Sequence, residues 1–174
     1  MNSTSRALAV LMVGYLILAL ESPMLQQLQL SFFAPDLGLI VVVWVALNMN
    51  FTSGVMTCFV LGYLKDGFVM GAPIGMHMEI FVVVFVVLRL LAGKLQMRGL
   101  LTLLVTTALA TVLACMLFAL LSLLFDGTFT DYGLVVRLAI PVALVTAPFA
   151  PVVFFVLDRV DATFVRRGKD SLFH

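Results

Sequence analysis

Long apolar runs, separated only by short polar turns, fill most of this 174-residue chain. A helix needs roughly 20 apolar residues to cross a bilayer. Hydrophobic residues make up 63% of the sequence and charged residues 11%, and the mean hydropathy is +1.20, as is typical of a multispanning membrane protein. The pattern therefore predicts an all-α, polytopic bundle of transmembrane helices, and it contains no polar stretch long enough to form a soluble domain.

Turn and charge signals divide the chain into six apolar spans. We expect Glu21 and Pro23 to end the first span, and residues 26–35 to form an interfacial or re-entrant segment. Three prolines in the sixth span predict kinks. The predicted spans are 7–25, 35–49, 51–66, 74–93, 100–125 and 133–157. Together they form a single integral membrane domain, and residues 158–174 follow it as a short cytoplasmic tail.

Basic residues are distributed unevenly between the two sides of the predicted bundle. With a cytoplasmic amino terminus, the outer side receives only Lys65 and Arg137, whereas the inner side receives Arg6, Lys94, Arg98, Arg159, Arg166, Arg167 and Lys169. By the positive-inside rule this asymmetry places both termini in the cytoplasm. The acidic residues that we assign to outer loops are Glu21, Asp36, Asp126 and Asp131. The basic tail is a topology anchor, or it contacts anionic lipid or a cytoplasmic partner.

Small residues recur every four positions along the third span. Gly54, Cys58 and Gly62 follow this spacing, and Asp66 continues it. Residues four apart lie on one face of a helix, and small residues there let a second helix approach closely. We therefore predict a tightly packed face that carries Asp66 to the outer end of the bundle. Lys65 does not share this face, so we expect its side chain to reach the lipid headgroups.

Ionisable residues at membrane depth usually face a bundle interior, a cavity or a partner. His77 with Asp66 or Glu79 suggests a proton relay, and a methionine-rich stretch beside His77 suggests a Cu(I) path. Structural hydrogen bonds or loop caps are favoured instead of a proton relay, because His77 and Glu79 are two positions apart and so lie on nearly opposite faces of a helix. The Cu(I) path is disfavoured because methionine is scattered through the apolar spans as a packing residue. The sequence carries no catalytic constellation, cofactor motif, metal-ligand spacing or basic aromatic surface for nucleic acid, so we expect a non-enzymatic protein without cofactors.

Three motifs, in order, resemble the MreD family of bacterial rod shape-determining membrane proteins. Pro35-Asp36 opens an apolar helix, Gly62 to Asp66 forms a Gly-x-x-x-Asp helix end, and residues 71–77 form a Gly-x-Pro-x-Gly-x-His turn. The likeness covers about residues 33–93, and the carboxy-terminal half is similar only in hydropathy. The candidate structural and interaction residues are Pro35, Asp36, Gly54, Cys58, Gly62, Asp66, Gly71, Pro73, Gly75 and His77.

This resemblance implies a membrane scaffold of the cell-elongation complex in the bacterial inner membrane. Members of the family bind the bitopic protein MreC and help couple MreB filaments to peptidoglycan synthesis by RodA and its class B penicillin-binding protein. The family also resembles, in fold, the S components of energy-coupling-factor vitamin transporters. The alternative function is therefore a substrate-binding subunit of a vitamin-type transporter. Convergent polar and aromatic groups in an outward cavity favour that alternative, whereas a closed interior with an exposed apolar groove favours a scaffold.

Overall fold

The computed structural model describes residues 3–28, 35–68, 75–92, 99–125 and 132–170. Every regular element in these ranges is helical, which confirms the all-α prediction. Of the residues singled out above, Gly71, Pro73, Lys94, Arg98, Asp126 and Asp131 lie outside the described ranges. The elements are α1 (Ser3–Leu28), α2 (Leu37–Asn48), α3 (Phe51–Phe68), α4 (Met76–Ala92), α5 (Leu100–Phe125), α6 (Tyr132–Thr146), a 3-10 turn (Ala147–Phe149) and α7 (Ala150–Asp170).

Helix α2 is the centre of the bundle. Its residues 38–46 are all buried, and α1, α3, α4, α5 and α7 pack around it. A helix that is apolar on every side is suited to burial among other helices or in lipid, and α2 is buried among helices. With 12 residues, α2 is about 18 Å long, whereas α5 with 26 residues is about 39 Å long. The ends of α2, including Asp36 before its first turn, therefore lie well inside the length of the bundle.

Helices α3 and α4 pack along each other through the small-residue face of α3. A Cβ atom at Gly62 would overlap the α4 backbone at Met78, and one at Gly54 would collide with the Phe85 ring. Cys58, between these glycines, is fully buried. The close packing predicted from the four-residue spacing is thus confirmed, and the helix that uses it is α4.

Helix α1 is longer than the sequence predicts. It continues through Glu21 and Pro23 to Leu28, so these two residues do not end it. Proline removes one backbone donor, and neighbouring helices compensate for that loss more readily inside a bundle than in water. Glu21 consequently lies within a helix rather than in an outer loop.

The predicted sixth span is two helices joined by a turn. Residues Ala147–Phe149 form a 3-10 turn with Pro148 at its centre, so the helix type changes at one of the three prolines that predict kinks, while the backbone stays helical on both sides. Pro141 is accommodated inside α6. Helix α7 then continues to Asp170, so residues 158–170 extend a helix rather than forming a separate tail.

Large apolar side chains cover much of the outer surface of the described helices. Leu101 is 77% exposed, Leu90 is 74% exposed and Phe125 is 70% exposed. Soluble monomers rarely expose contiguous apolar surface on this scale. Two helical stretches, Leu100–Phe125 and Arg137–Thr163, are long and apolar enough to cross a membrane, with mean hydropathies of 2.6 and 2.3.

Candidate functional site

Five ionisable side chains from neighbouring helices gather near the start of α2. Glu21 belongs to α1, Asp36 precedes α2, Lys65 and Asp66 lie near the end of α3, and His77 is in the first turn of α4. We call this group the polar corner. It brings together residues that the sequence predicts in outer loops, at the lipid headgroups and in a packed turn.

Asp66 connects the end of α3 to the start of α4. Its Oδ2 accepts a hydrogen bond from the Gly75 N–H at 2.8 Å, and its Oδ1 accepts one from the His77 N–H at 3.0 Å. The first N–H groups of a helix have no partner within that helix, so a carboxylate there acts as a cap. Gly75 has a φ of 102°, a conformation that favours glycine. The loop-cap role favoured for Asp66 is confirmed.

The Asp66 carboxylate also fixes the His77 ring. The Nδ1 atom of His77 lies 2.8 Å from Asp66 Oδ1, and the Asp66 side chain is only 3% exposed. An ionised carboxylate only accepts hydrogen bonds, so Nδ1 carries the proton and a neutral ring keeps its lone pair on Nε2. The centroid of the Phe118 ring of α5 lies 6.0 Å from that of the imidazole. Glu79, the other carboxylate considered as a partner of His77, is exposed.

Asp36 is the amino-terminal cap of α2, as its position after Pro35 predicted. Its Oδ1 accepts a hydrogen bond from the Leu39 N–H at 2.9 Å. Its own backbone N–H donates to the Thr146 hydroxyl at 3.1 Å, at the end of α6. Asp36 therefore holds the central helix and ties it to the helix break in the carboxy-terminal half.

The prediction that Lys65 reaches the headgroups is wrong. Its Nζ lies 2.6 Å from Asp36 Oδ1 and 5.3 Å from the centroid of the Phe81 ring, and its side chain is only 8% exposed. Adjacent residues project about 100° apart on a helix. Because α3 packs against α4 on one side and against α1 and α2 on another, both Lys65 and Asp66 face the interior. The sequence argument assumed a single buried face.

Glu21 is the member of the polar corner that the sequence analysis missed. Its carboxylate approaches the backbone N–H groups of Leu37 and Gly38, and it interacts electrostatically with Lys65. The amino terminus of a helix carries a partial positive charge, which favours an acidic group there. Glu21 Oε2 is buried without a hydrogen-bond partner among the described residues. The sequence does contain a signal for this site, because a carboxylate within an apolar helix usually faces the interior of a bundle.

A second polar group joins the opposite end of α2 to α1 and α7. Arg6 forms a two-pronged ion pair with Asp161, at 2.5 and 2.7 Å, and its guanidinium lies 5.9 Å from the centroid of the Trp44 ring. The Trp44 indole N–H donates to Asp158 at 2.7 Å. We call these four residues the Arg6 cluster. Counting charge signs along the sequence did not reveal it, because its members are up to 155 positions apart.

Two concave regions adjoin the polar corner. A cavity of about 140 Å³ lies between α4, α5 and α6, with Asp36 and His77 in its wall. A surface groove of about 350 Å³ runs between α1 and α3, past Tyr15, Tyr63 and Phe68. Within the described ranges, no three His, Cys, Asp or Glu side chains are grouped so as to hold a metal ion.

Comparison with known proteins finds no family model, no curated protein and no solved structure that matches this chain. The likeness to the MreD family thus depends on the three sequence motifs, and two of these now have a described geometry. The Pro-Asp helix start caps α2, and the aspartate of the Gly-x-x-x-Asp helix end bonds to Gly75 and His77.

Proposed function

We propose that this chain is a six-span protein of the bacterial inner membrane with both termini in the cytoplasm. Helices α1 to α5 each provide one span, and α6 with α7 provides the sixth. The two long apolar stretches and the exposed apolar side chains support this arrangement. Although α2 is short for a bilayer of about 30 Å, other helices surround its buried residues 38–46.

We further propose that the protein is a non-enzymatic scaffold of the cell-elongation complex. The observation that carries this proposal is that the motif aspartates form hydrogen bonds and an ion pair with other residues at the helix ends. Asp66 accepts hydrogen bonds from the backbone N–H groups of Gly75 and His77. Asp36 accepts one from the Leu39 N–H and forms an ion pair with Lys65. Carboxylates that accept hydrogen bonds from the free N–H groups at a helix start are typical of a structural joint between helices.

The groove between α1 and α3 is the surface that best fits a partner helix. Tyr63 is 61% exposed and Tyr15 is 45% exposed along it. Tyrosine combines a large apolar area with a polar tip and is enriched at protein interfaces. We propose that the transmembrane helix of an MreC-like bitopic protein docks here. Through that partner the scaffold would help link MreB-type filaments to the RodA and class B penicillin-binding protein synthase, within membrane lipid.

The size of the interior cavity favours the scaffold over a vitamin-type transporter subunit. Pockets for drug-sized ligands usually measure roughly 300–1,000 Å³. The cavity beside the polar corner, at about 140 Å³, is too small for a ligand of that class. The larger concave region lies on the outer surface, where a helix rather than an enclosed molecule fits.

Affinity purification from native membranes tests the proposed function. A tagged chain extracted in mild detergent is expected to recover an MreC-like bitopic protein together with the RodA and class B synthase. Recovery of a transport complex with ATPase subunits, and no cell-wall proteins, would contradict the scaffold proposal.

The variant Tyr63→Ala tests the docking groove within the same experiment. Truncation of an interface tyrosine is expected to reduce recovery of the MreC-like partner about tenfold, while the melting temperature of the purified chain stays unchanged. Leu109→Ala is the matched control, because Leu109 is 64% exposed on α5, away from the groove. Equal recovery with both variants would place the partner on another surface.

A further inference from the structure

We infer that the cavity beside the polar corner binds the primary ammonium group of a small amine. This inference goes beyond the scaffold proposal and does not depend on it. The cavity lies next to the middle of α5, where Thr111 and Cys115 form part of its wall. Its wall shares no residue with the groove between α1 and α3, so it is a separate site.

Three polar residues in the cavity wall have hydrogen-bond acceptors to offer. The Asp36 side chain keeps 23% exposure beside the central helix, and the bonds from Leu39 and Lys65 both use its Oδ1. His77 binds Asp66 through Nδ1, which leaves Nε2 for a donor. The Thr111 hydroxyl donates its hydrogen to the Thr107 carbonyl at 2.9 Å, so its oxygen can only accept a further bond. A primary ammonium has three donors and no acceptor, which matches this set.

The charge of the polar corner favours a second cation. Two carboxylates, those of Asp36 and Glu21, act on the single ammonium of Lys65, whereas Asp66 bonds to His77 and Gly75. Buried carboxylates are stable when a cation or several donors compensate them. A ligand ammonium at Asp36 would lie close to Lys65, and the Glu21 carboxylate offsets part of the repulsion between these like charges.

The remaining wall of the cavity determines the size of the ligand and the polarity of the part beyond its ammonium group. Ile80, Phe81, Ala114, Phe118 and Val142 line it, so the part of the ligand beyond the ammonium is apolar. A cavity of about 140 Å³ is comparable with the roughly 150 Å³ apolar cavity that holds one benzene molecule. Short alkylammonium ions fit this volume.

Calorimetric titration of the purified full-length chain in lipid nanodiscs tests this inference, with n-butylammonium as the probe. Saturable binding of one equivalent is expected. Neither n-butanol, which has the same body without charge, nor tetramethylammonium, which has charge without N–H donors, is expected to bind comparably. Equal binding of n-butanol, or no saturable binding of n-butylammonium to the folded chain, would overturn the inference.

A pair of threonine variants locates the site. Thr111→Val keeps the side-chain shape but removes the acceptor, and it is expected to weaken n-butylammonium binding about tenfold, as for one hydrogen bond to a charged group. Thr163→Val is the matched control, since Thr163 also donates to a carbonyl four residues earlier but lies exposed on α7. Ala114→Val, which narrows the cavity, is expected to weaken binding as well. Unchanged affinity in folded Thr111→Val and Ala114→Val proteins would exclude this cavity as the site.

Discussion

Both ends of the central helix α2 are tied to neighbouring helices by charged side chains, yet the surroundings of these side chains differ. At the start of α2, the Lys65 ammonium is buried, because its side chain is only 8% exposed, and the side chain of its partner Asp36 is 23% exposed. Near its other end, the Arg6 and Asp161 side chains that pair with each other are 28% and 18% exposed. A partly exposed charge that loses its partner is hydrated by water, whereas a buried one is left uncompensated.

This difference indicates which contacts hold the bundle together. The polar corner joins α1, α2, α3 and α4 around the buried Lys65 ammonium, which needs its carboxylate partners. The Arg6 cluster closes α1 and α7 over the end of α2 where water can replace a lost partner. We therefore expect the polar corner to determine stability, and the Arg6 cluster to add a smaller contribution.

The largest effect is expected from Lys65→Met, which keeps the chain length and removes the charge. It leaves the Asp36 and Glu21 carboxylates without their cation and should lower the free energy of unfolding by about 3–5 kcal/mol. Unfolding in mixed detergent micelles measures this change. Arg137→Met removes a cation that is exposed on α6 and should leave stability within about 0.5 kcal/mol of the wild type. Similar losses in both variants would mean that burial of Lys65 is not the cause.

A second large effect is expected from Gly62→Leu, which tests the packing that supports the polar corner. Any Cβ atom at this position meets the backbone of α4 at His77 and Met78, which cannot move as a flexible side chain does. Overpacking of this kind lowers stability by about 3 kcal/mol. The matched control is Gly67→Leu on the same helix, where a Cβ atom meets nothing within 4 Å. A Gly62→Leu protein as stable as Gly67→Leu would contradict the close helix contact.

The smallest effect is expected from Arg6→Gln at the other end of α2. The variant removes the ion pair with Asp161 and the contact with the Trp44 ring, but the Arg6 and Asp161 side chains are both partly exposed. The loss should be about 1 kcal/mol or less, and it should shrink further at high salt. A loss as large as that of Lys65→Met would show that the two ends of α2 contribute equally.

Periodicity and helix-cap rules predicted the part of this molecule in which one residue decides the local structure. The four-residue spacing of Gly54, Cys58 and Gly62 predicted the packed face of α3. Asp36 after a proline predicted the start of α2, because a carboxylate at that position caps free N–H groups. Such features depend on neighbours within a few positions, and a single sequence contains them.

The sequence did not predict features that depend on how many sides of a helix are covered. Lys65 was assigned to the headgroups because one buried face was assumed for α3, and that helix has two. Glu21 was taken as a helix end, although α1 continues beyond it. The pairing of Arg6 with Asp161 joins the two ends of the chain, and charge signs alone do not specify a partner at that distance.

A pair of double-mutant cycles, measured in one detergent system, tests the central claim most directly. One cycle combines Lys65→Met with Asp36→Asn, which keeps an oxygen for the α2 cap, and the other combines Arg6→Gln with Asp161→Asn. We expect a coupling energy above about 2 kcal/mol for the pair that contains the buried Lys65 and below about 1 kcal/mol for the pair of Arg6 and Asp161. Equal coupling energies, or a larger one for Arg6 and Asp161, would contradict the claim that the polar corner holds the bundle together.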